Sequence, residues 1–221
     1  MRVYRRPVFP VEIFRDEQGD PIEYGNRWGG ESPPEDTYSR VSNLQRFALL
    51  HAVAGALIEW LQNAFDVTVE ETPSAAFDLL RVPDEVVRAV RVVPRESTMA
   101  PLTFVLTPFP GVYLHAGSLH DFHFPVCGCD ACDDDVTSLA EELESTVRTV
   151  VSGGYSERFD PWPERWIEFQ IDEPGVGMRR GRSRTEDLPD ERVEAARTSL
   201  PPAGEWLPWQ SLPPGEADAV N

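Results

Sequence analysis

Lysine is absent from this 221-residue chain, and all 20 of its basic side chains are Arg. Chemistry that rests on a primary amine goes with it: Schiff-base catalysis, pyridoxal phosphate attachment, the phosphate-loop motif and the protein-kinase fold. The Arg-only, Ala-, Val- and Pro-rich usage matches high-GC coding, so part of the absence reflects composition, but the amine is missing all the same. Positive charge is scarce as well. Against 38 acidic residues it leaves a formal net charge of −18, which argues against nucleic-acid binding, where phosphate neutralisation supplies most of the affinity. No run approaches the ~18 apolar residues that span a bilayer. The N-terminus MRVYRRPVFPVEIFRDEQGD meets acidic residues before it can form the apolar stretch of a secretory signal. The expected setting is the cytoplasm, with no membrane partner.

Catalytic signatures are missing too. There is no H-E-x-x-H and no H-x-E ahead of a P-C-x-x-C, as a zinc deaminase requires. Gly153-Gly154 follows a helical pattern instead of a strand, so it is no nucleotide fingerprint. Ser118 lacks the G-x-S-x-G context of a nucleophile elbow. His51, beside Leu50 and Val53 on an apolar helix, reads as a residue at the edge of the core. No catalytic residues are assigned.

What is present has a clear order along the chain. Residues 1–38 carry Pro7, Pro10, Pro21, Pro33, Pro34 and Gly29-Gly30, the composition of turns and extended segments. They form an irregular arm with Tyr4, Phe9, Ile13, Phe14, Tyr24 and Trp28 to bury. Ser42-Asn-Leu-Gln45 matches a capping box, and Leu44, Phe47, Leu50, Ala54, Leu57, Leu61 and Ala64 then follow at helical spacing to about Phe65. Between Asp66 and Phe124 the period shifts toward two. Leu102–Thr107 and Val112–His115 flank the turn Pro108-Phe-Pro-Gly111, a hairpin within an antiparallel sheet of about three to five strands. A further strand runs from His120 to Phe124. A second helix starts among Asp133–Asp135, whose carboxylates suit an N-cap, and closes at Gly153-Gly154. Trp166–Ile171 alternates as a last strand. The fold class is α+β, two main helices on one face of a small, mostly antiparallel sheet, with a single domain over residues 39–171.

Residues 172–221 hold seven Pro, the stretch Arg179-Arg-Gly-Arg-Ser-Arg184 and a helical candidate at Asp190–Ser199. They read as a Pro/Arg-rich tail, partly ordered through Trp206 and Trp209, which dock on the chain's own domain. Arg179, Arg180, Arg182 and Arg184 precede Glu186 and Asp187 and read as solvated linker charge.

The concentrated chemistry lies between His115 and Asp135, which hold all three Cys and three of the four His. Cys127-Gly-Cys129-Asp-Ala-Cys132 is a tight C-x-C-x2-C turn. In a reducing compartment, clustered thiols are metal ligands or redox groups more readily than disulfides. Structural zinc takes four tetrahedral ligands, and the turn offers three. His123 is the first candidate for the fourth, since His120 points to the other face of the strand and His115 requires the hairpin to fold back over the loop. Residues 96–147 contain nine carboxylates and no Arg. That negative field opposes a reactive thiolate and favours a bound dication, which would itself deprotonate the thiols, or a basic protein partner. Two other readings stay open: inert thiols packed as small hydrophobes, and a thiol redox enzyme or sensor built on Cys129 and Cys132.

The segment Phe124-Pro-Val-Cys-Gly-Cys-Asp-Ala-Cys-Asp133, with Pro108-Phe-Pro-Gly-Val112 ahead of it and an acidic helix and Gly153-Gly154 behind, resembles a family of uncharacterised high-GC Gram-positive bacterial proteins of unknown function. The resemblance covers roughly residues 38–170 and implies a small cytoplasmic domain with no assigned activity. The leading expectation is a non-enzymatic protein whose Cys127, Cys129 and Cys132, with His123, hold a structural zinc ion.

Overall fold

A computed structural model describes residues 3–8, 12–160 and 165–213; the expected burial of Phe9 lies outside them. The strands β1 (Val67–Glu71), β2 (Arg88–Pro94), β3 (Leu102–Leu106), β4 (Val112–Ala116) and β5 (His120–Phe124) form a five-stranded sheet. They pair in chain order and antiparallel throughout, as α+β periodicity implies. The register puts Val90, Phe104, Leu114 and Phe122 in one row across four strands. That row faces two helices, α1 (Ala48–Ala64) and α2 (Val136–Val151). α1 contributes Leu50, Val53, Ala54, Leu57, Ile58 and Leu61 to the common core, and α2 contributes Leu139, Leu143, Val147 and Val150. By length and composition, the segment Leu44–Ala64 would also pass as a membrane span. Its buried stripe makes it a core helix here.

The start of α1 differs from the capping-box expectation. A 3-10 turn over Leu44–Phe47 precedes the helix, Asn43 adopts a left-handed conformation, and neither makes a side-chain cap. The Ser42 amide and hydroxyl both donate to Asp130 instead, at 2.7 Å each. Ser42 is spent on the cysteine turn, so it cannot cap the helix. α2 behaves as read: Asp135 accepts from the Ser138 amide at 2.8 Å, and Gly153 closes the helix with a positive φ.

The opposite sheet face is covered by the short turn Pro73–Asp78, with Ala75, Ala76 and Leu79 on Ala89 and Val105. Beside them lies a part-buried polar network. Asp78 accepts from the Arg91 Nε and the Thr103 hydroxyl at 2.6 Å each, while Asp121 takes His115 Nδ1 at 2.6 Å and the Leu80 amide at 2.8 Å.

Beyond α2 the chain is more regular than its composition implies. β6 (Tyr155–Phe159), β7 (Trp166–Glu173) and β8 (Gly177–Arg184) build a second antiparallel sheet, and α3 (Asp190–Ser199) follows. Trp166–Ile171 is therefore not the last strand, and the Arg179–Arg184 stretch is no linker. Its alternation sends Arg179 to Glu142 and Thr146 of α2, while Arg182 and Arg184 lie over the Trp166 ring at 5.2 and 5.3 Å. The final described segment is a strap across the core. Trp206 and Trp209 are buried, and their amides reach the Tyr155 and Val151 carbonyls at 3.2 and 2.9 Å.

Candidate metal centre

The cysteine turn leaves the end of β5 through Pro125 and enters α2 at Asp135. Gly128 passes under the ring of Phe109 so closely that an added Cβ would sit 2.2 Å from it. Phe109 comes from the β3–β4 hairpin and stacks on Phe47, so the hairpin sets the height of the turn. Asp130–Cys132 makes a single 3-10 turn, and Asp133 follows with φ 51°, a left-handed conformation that Asp tolerates better than most residues.

The carboxylates interleaved with the thiols hold this shape. Asp130 is fully buried. Besides the two Ser42 bonds, its own amide donates to the Arg40 carbonyl at 2.8 Å, and the Arg27 guanidinium lies 4.0 Å away. Asp133 accepts from the Arg27 amide at 2.7 Å, and its carbonyl takes the Gly25 amide at 2.8 Å. Burial opposes ionisation of Asp130, but the Ser42 donors and the charges of Arg27 and Arg46 outweigh it and keep its pKa below the ordinary carboxylate range. Asp134 has no such donors, and burial raises its pKa.

These contacts revise the electrostatic picture drawn from residues 96–147. That segment has no Arg of its own, but the fold supplies Arg27 and Arg46 at Asp130, Arg6 and Arg148 at Glu144, and Arg179 at Glu142. The turn is therefore not a bare negative field. Asp130 and Asp133 are anchored by bonds to Ser42 and Arg27, while Cys127 and Cys132 remain exposed.

Cys127 and Cys132 are exposed and Cys129 is half-buried, all three as free thiols. Their sulfurs lie within 4.8 Å of one another, with Cys129 and Cys132 at 3.6 Å. Sulfurs about 3.5–4 Å apart are what Zn–S bonds of ~2.3 Å in a tetrahedron require. The hydrogen bond from Cys127, aided by the Cys132 and Ala131 amides, lowers the Cys129 pKa. Burial and the two neighbouring sulfurs push Cys132 up to about 12. Three adjacent thiolates would repel one another, so a bound cation would be what allows the last thiol to lose its proton.

His123 does not join the group. It sits in β5 opposite Tyr113, with the two rings 4.4 Å apart, and among the described residues the three sulfurs gather no other ligand atom. His120 stacks on Phe169 at 3.6 Å, where burial pulls its pKa down to about 4. His115 is buried against Asp121. His51 is half-buried and bonds the Gly111 carbonyl through Nε2 at 3.1 Å. The residues that sequence reading missed are Ser42, Arg27 and Phe109, together with the anchoring role of Asp130 and Asp133. Only the alternation of Asp with Cys pointed there.

A family model matches residues 10–213, from the arm through to the tryptophan strap. The chain belongs to a family of unknown function, DUF6226. The matched span exceeds the 38–170 of the resemblance and adds Arg27 to Ser42 and the cysteine turn, so the DUF6226 region includes both halves of the site. No curated protein matches the chain.

Proposed function

We propose that this protein binds a metal ion, zinc by ligand preference, through Cys127, Cys129 and Cys132, and that it works as a metal-binding protein and not as an enzyme. The observation that carries the reading is the convergence of three free sulfurs within 4.8 Å at a turn whose shape is already set by other bonds. Thiolate sulfur is the ligand type that soft and borderline cations select. A reducing cytoplasm is the setting in which such thiols stay available. Because Asp130 and Asp133 hold the turn, the ion's stabilising effect is local, and the expected structural role narrows to the turn itself.

Native mass spectrometry and metal analysis of the full chain test this. One metal per chain, lost in a Cys129→Ser variant that keeps the parent's circular dichroism, is the expected result. Less than stoichiometric metal with three freely titrating thiols would sink it. The 3.6 Å Cys129–Cys132 separation favours one second reading, a dithiol that oxidised glutathione converts to a disulfide, with reduced glutathione released as the other product. A metal-free chain that undergoes this exchange reversibly selects the redox reading.

A further inference from the structure

We infer that the metal held by Cys127, Cys129 and Cys132 keeps its fourth coordination position open to solvent, and that a neutral nitrogen donor from another molecule, an imidazole, fills it. The inference rests on the metal-binding reading above and goes beyond it by assigning a ligand class to the site.

Three observations carry it. The ligand group ends at three: no carboxylate or imidazole of the described residues comes within 4.8 Å of all three sulfurs. The obvious internal candidates are held elsewhere: His123 against the Tyr113 ring, Asp130 by Ser42 through both carboxylate oxygens, and Asp133 by the Arg27 amide through one oxygen, its other oxygen being buried. The sulfurs are also reachable, because Cys127 and Cys132 are exposed and the adjacent Val126 is 85% exposed. Closed four-ligand sites hold zinc for structure, whereas three protein ligands leave a position that water or an incoming molecule takes.

Charge then selects the donor. Three thiolates around a divalent cation leave one net negative charge, and the nearby Asp130 is already matched by Arg27 and Arg46. An anionic ligand would meet that residual charge at contact distance, while a neutral imidazole would not. Nitrogen also ranks beside sulfur among zinc ligands.

The test uses the full chain loaded with Co(II), whose visible d–d bands report coordination number and donor set. The expected result is a saturable band shift on titration with imidazole, one imidazole per cobalt, with azide at the same concentration giving a weaker response. His123→Ala should show the same starting spectrum and the same imidazole response. Tight Co(II) binding with a spectrum that imidazole does not move would overturn the inference and leave the metal site standing. So would a His123→Ala spectrum that differs from the parent and returns to it with imidazole, because that would make His123 the fourth ligand. Failure to bind Co(II) or Zn(II) at all would remove the metal-binding reading itself, a result distinct from either of these.

Discussion

At the scale of single residues, two neighbouring aspartates in the cysteine turn have opposite roles. Asp130 is buried and accepts two bonds from Ser42. Its replacement by Ala leaves those donors without a partner and strands a nearby guanidinium. Asp130→Ala should cost about 2–4 kcal/mol in urea denaturation and weaken metal binding along with it. Asp134 is partly buried with its pKa raised by burial, so its charge is a cost. Asp134→Asn should leave stability within about 0.5 kcal/mol of the parent, or above it. The same measurement on the two variants separates anchoring from bulk negative charge. It also marks what could be read in advance. The spacing of Cys127, Cys129 and Cys132 was legible, because short-range spacing survives in the sequence. The partners of the intervening carboxylates were not, because Ser42 and Arg27 lie 88 and 106 residues away.

At the scale of elements, periodicity located α1, α2 and the β3–β4 hairpin, because each packs an apolar stripe against the core. It failed where an element serves two environments. β8 alternates between arginines that reach α2 and arginines over Trp166, so no apolar repeat announces it, and β6 was hidden by its buried Glu157. That carboxylate accepts the Ser118 and Leu119 amides and the Trp206 indole, at 2.9, 2.8 and 3.2 Å, which binds the strap to the β4–β5 turn. Trp206→Ala should therefore destabilise the protein by about 3–5 kcal/mol, as for other large aromatic truncations, measured by thermal or chemical unfolding. Ser42 offers a sharper check on the start of α1. Ser42→Ala should cost about 1–3 kcal/mol through the lost Asp130 bond while far-UV circular dichroism of the folded state stays at the parent's helicity. A loss of helix content in that variant would restore the capping role.

At the scale of the whole molecule, the fold keeps its half-buried imidazoles neutral. Burial lowers the pKa of His51, His120 and His123, with His120 brought from 6.5 to about 4. In that window the unfolded chain takes up a proton that the native state refuses, so stability is complete above about pH 6.5 and falls as pH drops toward 4. His120 alone accounts for up to about 3 kcal/mol of that decline. Unfolding free energies measured between pH 7 and 4 should show it, and His120→Phe, which keeps a ring on Phe169, should flatten the slope. An unchanged slope would place the acid sensitivity elsewhere. The net charge of −18 likewise acquires a structure: its densest acidic segment is stitched to arginines from the arm, the 3-10 turn before α1, α2 itself and β8. Those long stitches have a consequence in time. Contacts that join residues 88 and 106 positions apart close late, because the intervening chain must be ordered first. The anchors Arg27 and Ser42 precede the thiols in the chain, so the thiols can take up this spacing only once those residues have met the turn. If a metal is bound there, one that met the chain earlier would find three loose ligands and one that met it later a finished site, so tight occupancy would report a completed fold.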